Sequence, residues 1–164
     1  MKNSTKLLVA ASLLSASSFA SANLTASAGY SNIGDQDVDL GVVYASAGYE
    51  FTNGDVTFMP ELRIGTGVSD ETFYGVDIEV ESLFSASLRA QYNVTPSFSV
   101  FLQPSYSRLE VEASAGGYSE SDHSWEFGIG GGASLDVSDN VSLEALYEDY
   151  DGTDVVSVGV RYAF

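Results

Sequence analysis

The sequence predicts an all-β fold, an eight-stranded antiparallel up-and-down transmembrane β-barrel, on three observations. Apolar and polar residues alternate with period two through most of the chain beyond residue 22, and helical periodicity is scarce. The connections between these runs are alternately tight and long, as in membrane barrels with short turns at one end and longer loops at the other. No stretch beyond residue 22 holds the roughly 18 apolar residues that a spanning helix needs, so a membrane crossing must be made by strands.

The first element stands apart from the barrel. Lys2 and Lys6 give a positive start, "LLVAASLLSASSFA" is apolar but too short to span, and Ala20-Ser21-Ala22 is a small-x-small cleavage pattern. This predicts a signal peptide over 1–22 and one barrel domain over 23–164.

Eight runs follow. Strand one, 23–32, sets Leu24, Ala26, Ala28 and Tyr30 against Thr25, Ser27, Gly29 and Ser31. Strand two, 38–51, is less regular and ends with Tyr49 and Phe51 against Gly48 and Glu50. In strand three, 56–68, Val56, Phe58, Pro60, Leu62 and Ile64 oppose Thr57, Met59, Glu61, Arg63 and Gly65. Strand four, 78–93, places Val80, Phe84, Ala86, Leu88, Ala90 and Tyr92 against Glu81, Ser85, Ser87, Arg89 and Gln91. Strand five, 97–110, sets Phe98, Val100, Leu102, Pro104 and Tyr106 against Ser99, Phe101, Gln103 and Ser105. Strand six, 124–137, opposes Trp125, Phe127, Ile129, Ala133, Leu135 and Val137 to Glu126, Gly128, Gly130, Gly132, Ser134 and Asp136. In strand seven, 141–149, Val141, Leu143, Ala145 and Tyr147 face Ser142, Glu144, Leu146 and Glu148. Strand eight, "VVSVGVRYAF", alternates Val156, Val158, Val160, Tyr162 and Phe164 with Ser157, Gly159, Arg161 and Ala163.

Tight turns are expected at "TNGD" (52–55), where Asn53-Gly54 is a hairpin signal, at "VTP" (94–96) and at "SDN" (138–140). Longer acidic loops are expected at 33–37, 69–77, 111–123 and 149–154.

Alternation alone leaves open which face is outside. The polar set is rich in Gly and Ser, which fits the interior of a small barrel. No lysine follows residue 22, although lysine commonly guards solvated strands. With the strands running alternately up and down, Tyr49, Phe51, Phe58, Tyr92, Phe98, Tyr162 and Phe164 fall at the short-turn end. Tyr30, Tyr106, Trp125, Phe127 and Tyr147 fall at the long-loop end. Two aromatic belts enclosing an aliphatic band are the mark of a membrane barrel, so the apolar face is expected outward.

The inward set then carries charge: Glu61, Arg63, Arg89, Glu126, Asp136, Glu144 and Arg161. Charge in a narrow lumen must be paired. Glu144 and Arg161 are expected nearly level on adjacent strands, and Arg63 and Arg89 need carboxylates such as Glu61. Eight strands give an interior that side chains can fill, so this set is expected to plug the lumen.

The formal net charge is −17, and removal of residues 1–22 takes both lysines and no acid. Such a polyanion excludes nucleic-acid binding, which needs Lys and Arg at phosphates. The absence of cysteine excludes disulfides and thiolate metal sites. The acids crowd the longer connections: Asp35, Asp37 and Asp39; Asp70, Glu71, Asp77, Glu79 and Glu81; Glu110, Glu112, Glu120 and Asp122; Glu148, Asp149, Asp151 and Asp154. They predict a solvated rim able to attract divalent cations weakly. "DQDVDLG" is not an EF-hand, because Leu40 stands where the loop needs Gly. "GIGGGAS" (128–134) lies within a strand, so it is not a phosphate-cradling turn. No metal or other cofactor site and no catalytic nucleophile–base pair is expected.

From "NLTASAGYSNI" to "VVSVGVRYAF" the chain resembles the small bacterial outer-membrane β-barrel family that includes the OmpX/Ail-like and OmpA transmembrane-domain-like proteins. Its last strand resembles the signal read by the barrel assembly machinery, with Phe164, Tyr162 and Val160 at alternate positions. The resemblance implies a monomeric protein of the outer membrane, in contact with its lipid and with lipopolysaccharide. His123 stands directly before Ser124, so the His-x-Ser spacing of lipid A deacylases among such barrels is not met, and no enzyme is expected. The expected function is a structural or interaction role in the envelope, its acidic loops meeting lipopolysaccharide, ions or host surfaces. The alternative is a narrow channel for small solutes or ions.

Overall fold

The computed structural model describes the backbone of residues 23–35, 38–73, 76–115 and 118–164, with side chains there except at 35–39, 70–79 and 111–124. Its strands are β1 (Leu24–Asp35), β2 (Val38–Tyr49), β3 (Phe51–Asn53), β4 (Val56–Gly67), β5 (Asp70–Phe73), β6 (Val76–Thr95), β7 (Phe98–Ala115), β8 (Tyr118–Ser138), β9 (Val141–Tyr150) and β10 (Thr153–Ala163). β3 prolongs β2 beyond Glu50 and β5 prolongs β4, so the ten segments form eight staves. Each stave pairs antiparallel with the next, and β10 returns to β1 from Thr25↔Ala163 to Gly34↔Asp154. The result is a closed eight-stranded antiparallel barrel.

Closure fixes tilt as well as pairing. The register runs from Leu135 to Leu143, Val160, Ala28, Ala45, Ile64, Phe84, Arg108 and Trp125. One circuit thus returns to β8 ten residues from its start, a stagger that makes the staves lean across the barrel axis.

Four expectations about the connections are corrected. The segment 149–154 is no long loop: β9 and β10 pair as far as Tyr150↔Thr153, leaving Asp151 (φ 50°) and Gly152 (φ 104°) as a two-residue turn. Positive φ at both central residues is the type I′ geometry that Asp-Gly favours. At the first hairpin the turn residues are Gly54 and Asp55 rather than Asn53 and Gly54, since Asn53 still pairs with Val56. Gly54 alone has a positive φ, 64°, as in a type II′ turn.

The segments 69–77 and 111–123 are also largely strand. β6, β7 and β8 run 20, 18 and 21 residues and pair beyond the body of the barrel, out to Asp77↔Ser114 and Ala115↔Tyr118. Their acids suggested loops, yet period two persists through Val76, Ile78 and Val80 and through Leu109, Val111 and Ala113. A shift in register between Val80 and Ser82 reverses the expected facing there: Val80, expected outward with Phe84, is buried in the lumen, and Glu81, expected inward, is exposed.

The faces are inverted relative to a soluble protein. Leu102 is 62 % and Phe127 64 % exposed, whereas Arg89 and Gln103 are each 1 % exposed. Tyr49, Phe51, Phe58, Tyr92, Phe98 and Tyr162 point outward near the tight turns, and Tyr30, Tyr106, Trp125, Phe127 and Tyr147 point outward near the other end. In a belt, neighbouring rings touch: Tyr49 with Phe51 at 4.9 Å, Tyr162 with Phe164 at 5.0 Å, Tyr106 with Trp125 at 5.0 Å between centroids.

A charge placed in the middle of this band tests the orientation. Leu102 lies halfway between the belt residues Phe98 and Tyr106 of its strand. Leu102→Arg is expected to destabilise the barrel by about 2–4 kcal/mol in phospholipid vesicles. Urea unfolding monitored by loss of β circular dichroism reads the change, and an unshifted midpoint would refute a lipid-facing Leu102.

Candidate functional site

Inward positions are set by the pleat: on each stave every second residue faces the lumen. Glu61 and Arg63 come from β4, Arg89 from β6, Glu144 and Glu148 from β9, and Arg161 from β10, all buried. They form an unbranched chain of alternating sign. Arg89 Nη1 donates to Glu144 Oε1 at 2.5 Å. Glu144 also accepts from Arg161 Nε at 2.8 Å and Nη2 at 3.0 Å. Arg161 Nη2 reaches Glu61 Oε2 at 2.6 Å. Glu61 Oε1 lies 3.7 Å from Arg63 Nη2, and Arg63 Nη1 donates to Glu148 Oε2 at 2.9 Å. Three arginines and three glutamates sum to zero, so this chain of ion pairs is neutral.

The ring order puts β4 and β9 on opposite sides of the barrel, four staves apart either way. The Arg63–Glu148 pair therefore spans the lumen's full width. Neutral groups meet further donors and acceptors: Gln103 accepts from Arg89 Nε at 3.0 Å, Thr25 Oγ1 accepts from Arg161 Nη1 at 3.1 Å, and Ser105 and Tyr150 donate to Glu148 Oε1 at 3.1 and 3.0 Å, while Arg63 Nε is left without a partner among the described residues. Two aromatic faces carry the cationic planes, Phe101 3.8 Å from Arg89 and Tyr44 4.7 Å from Arg63.

Glycines make room for these large inward groups. Gly29 and Gly159 face one another across the β1–β10 seam, and a Cβ on either would stand 2.6 Å from the Tyr44 hydroxyl. Gly128 and Gly132 likewise lie beneath Tyr150 and Phe101. The glycine run of β8 is thus a floor for bulky neighbours.

Nearer the prolonged strands the lumen turns apolar. Ile33, Leu40, Val42, Val80, Tyr150 and Val155 form a buried cluster, with Leu83 and Leu109 packed on it. A cavity of about 110 Å³ separates this layer from the ion pairs, its wall including Arg63, Glu148, Ser85 and Ser107.

Glu144 and Arg161 meet, but diagonally rather than level, since Glu144 is opposite Gly159 in the register. Arg63 takes Glu61 and Glu148, while Arg89 takes Glu144 instead of Glu61. Glu126 lines the cavity whose wall also includes Arg63 and Glu148. Asp136 lies at the tight-turn rim, accepting from Ser142 Oγ at 2.7 Å. Glu148, assigned from its neighbours to the acidic rim, is instead 1 % exposed in the lumen; its shared parity with Glu144 was the signal. The apolar cluster was not foreseen.

Val160 and Tyr162 face outward beside β1, and the backbone N of Phe164 donates to Leu24 O at 3.0 Å. The segment 1–22 and the side chains of Asp35, Asp37, Asp39, Asp70, Glu71, Asp77, Glu79, Glu112, Glu120, Asp122, His123 and Ser124 lie outside the described residues.

A closed barrel with an inverted surface and a plugged lumen is the architecture of small bacterial outer-membrane proteins. The chain belongs to the outer membrane protein beta-barrel domain family, whose model matches residues 7–164. Similar solved structures include Ail, the attachment invasion locus protein of Yersinia pestis, at 17 % identity, covering 87 % of this chain and 97 % of that one with a TM-score of 0.63. Neisserial surface protein A gives 19 % identity, coverages of 86 % and 96 %, and a TM-score of 0.61. The N-terminal β-barrel domain of Pseudomonas aeruginosa OprF gives 14 % identity, coverages of 85 % and 97 %, and a TM-score of 0.65. At these identities the likeness is one of fold. No curated protein matches the chain.

Arg161 is shared by two carboxylates, so its removal leaves both Glu61 and Glu144 short of a partner. Arg161→Ala is expected to cost about 3–5 kcal/mol, and Arg161→Lys less, because it keeps the charge while losing the planar fork. Urea unfolding midpoints in vesicles measure both; a wild-type midpoint for Arg161→Ala would break the ion-pair account.

Proposed function

We propose that this outer-membrane barrel is a structural envelope protein with a closed lumen, whose acidic rim meets lipopolysaccharide, ions or host surfaces. The observation that carries the reading is the neutral chain Arg89–Glu144–Arg161–Glu61–Arg63–Glu148 crossing the lumen. A hydrated ion entering it must break buried ion pairs, and the apolar layer beyond offers no replacement ligands. The lumen therefore serves as a strut and plug.

The rim is the part free to interact. Ail has been crystallised with the heparin analogue sucrose octasulfate. This chain's net charge of −17 disfavours a direct loop contact with such a polyanion. It favours approach through bridging divalent cations, which prefer oxygen ligands. Export by cleavage after Ala22, monomeric insertion, and reading of Val160, Tyr162 and Phe164 by the barrel assembly machinery belong to the same proposal. No catalytic role is assigned to His123 or Ser124.

Planar-bilayer recording of refolded protein tests the plug: the expected result is no steady single-channel current, and a steady ohmic conductance would favour the channel. N-terminal sequencing of the outer-membrane form is expected to begin at Asn23. Any other start would place the cleavage elsewhere. Folded protein in that fraction should also migrate faster unboiled than boiled.

A further inference from the structure

The chain holds four arginines, and three of them are locked in the lumen. The fourth, Arg108, follows the other parity of β7, the one that carries Leu102 and Tyr106 outward. Its strand partners are Phe84 on one side and Trp125 on the other, and both rings are exposed to the exterior. Phe84 and Trp125 meet edge-on at 6.2 Å, and Trp125 stacks on Tyr106 at 5.0 Å. Arg108 is therefore a cation set among aromatic rings at the outer belt.

One of its polar atoms is left unsatisfied by the protein. Nε is buried without a hydrogen-bond partner, and among the described residues Arg108 forms no salt bridge. The nearest outward acid along the strand, Glu110, accepts instead from Ser82 Oγ at 3.1 Å. An unpaired guanidinium on the lipid-facing surface is tolerable only at headgroup depth, where its stem can lie along apolar surface and its fork can meet an anion. Trp and Tyr mark that depth. Of the anions available there, phosphate matches the planar fork in two parallel hydrogen bonds.

We infer that Arg108 is a binding site for a phosphate group of the outer-leaflet glycolipid, lipopolysaccharide, seated between Phe84 and Trp125. The inference rests on the envelope reading and sharpens it, because contact here is direct and independent of the acidic rim. A belt site of this kind anchors the barrel laterally in its leaflet.

The readout is built in, since Trp125 is the chain's single tryptophan and stands opposite Arg108. Full-length processed protein in phosphatidylcholine nanodiscs is titrated with rough lipopolysaccharide in EDTA while Trp125 emission is followed. Wild type is expected to give a saturable change, Arg108→Gln a Kd at least about tenfold higher, equal to about 1.4 kcal/mol, and Arg108→Lys an intermediate value. Dephosphorylated lipopolysaccharide is expected to bind wild type as weakly as the intact form binds Arg108→Gln. An unchanged Kd in a heat-modifiable Arg108→Gln protein would overturn the inference, as would equal binding of the dephosphorylated form. Equal binding of phosphatidylglycerol would overturn the assignment to the glycolipid. Binding that needs Mg²⁺ and ignores Arg108→Gln would sink this site and leave the rim contact standing. No binding in either buffer would remove both.

Discussion

Hydrocarbon offers no hydrogen bonds, and that single constraint organises this molecule. Each backbone N–H and C=O within the membrane must find a partner in the protein, so β10 has to return to β1. Closure of eight staves then makes the lumen narrow, and narrowness makes it dry. Each charge that faces inward must therefore be met by another protein group, and the side chains largest in volume must lie over glycine. The ion-pair chain, the Tyr44–Gly29–Gly159 packing and the apolar layer above them all descend from that closure.

The same constraint explains why a strongly acidic protein buries a neutral chain of ion pairs. Glu61, Glu144 and Glu148 are matched by Arg63, Arg89 and Arg161. Cations are scarce in this chain, so their placement carries information. Three arginines hold the lumen, and Arg108 faces the leaflet.

How much of this was legible in the sequence follows from how each feature is encoded. Strands with one polar and one apolar face, such as β4 and β10, declare themselves by period two. β2 was irregular because Leu40 and Val42 face an apolar lumen while Val43 faces the other way. Where both faces are apolar, the alternation vanishes. The Asp151-Gly152 turn and the long ends of β6, β7 and β8 carry acids that suggest loops, although turn chemistry and alternation are present there. Inward charges were visible one by one, but not who meets whom. Partners three or four staves apart are brought level by the stagger of the whole barrel, and no local pattern records it.

The ion-pair chain divides unequally between the two halves of the molecule. The neighbouring staves β4 and β6 contribute Glu61, Arg63 and Arg89, an excess of one positive charge; β9 and β10 contribute Glu144, Glu148 and Arg161, an excess of one negative. Neither hairpin is neutral alone, and each lacks what the other has. Partners such as Arg63 and Glu148, or Arg161 and Glu61, are 85 and 100 residues apart in the chain. The ion-pair chain thus reaches neutrality only when the first half of the sheet comes round to face the last. A half-inserted sheet leaves a bare charge in each half, so barrel closure behaves as an all-or-none event enforced from within.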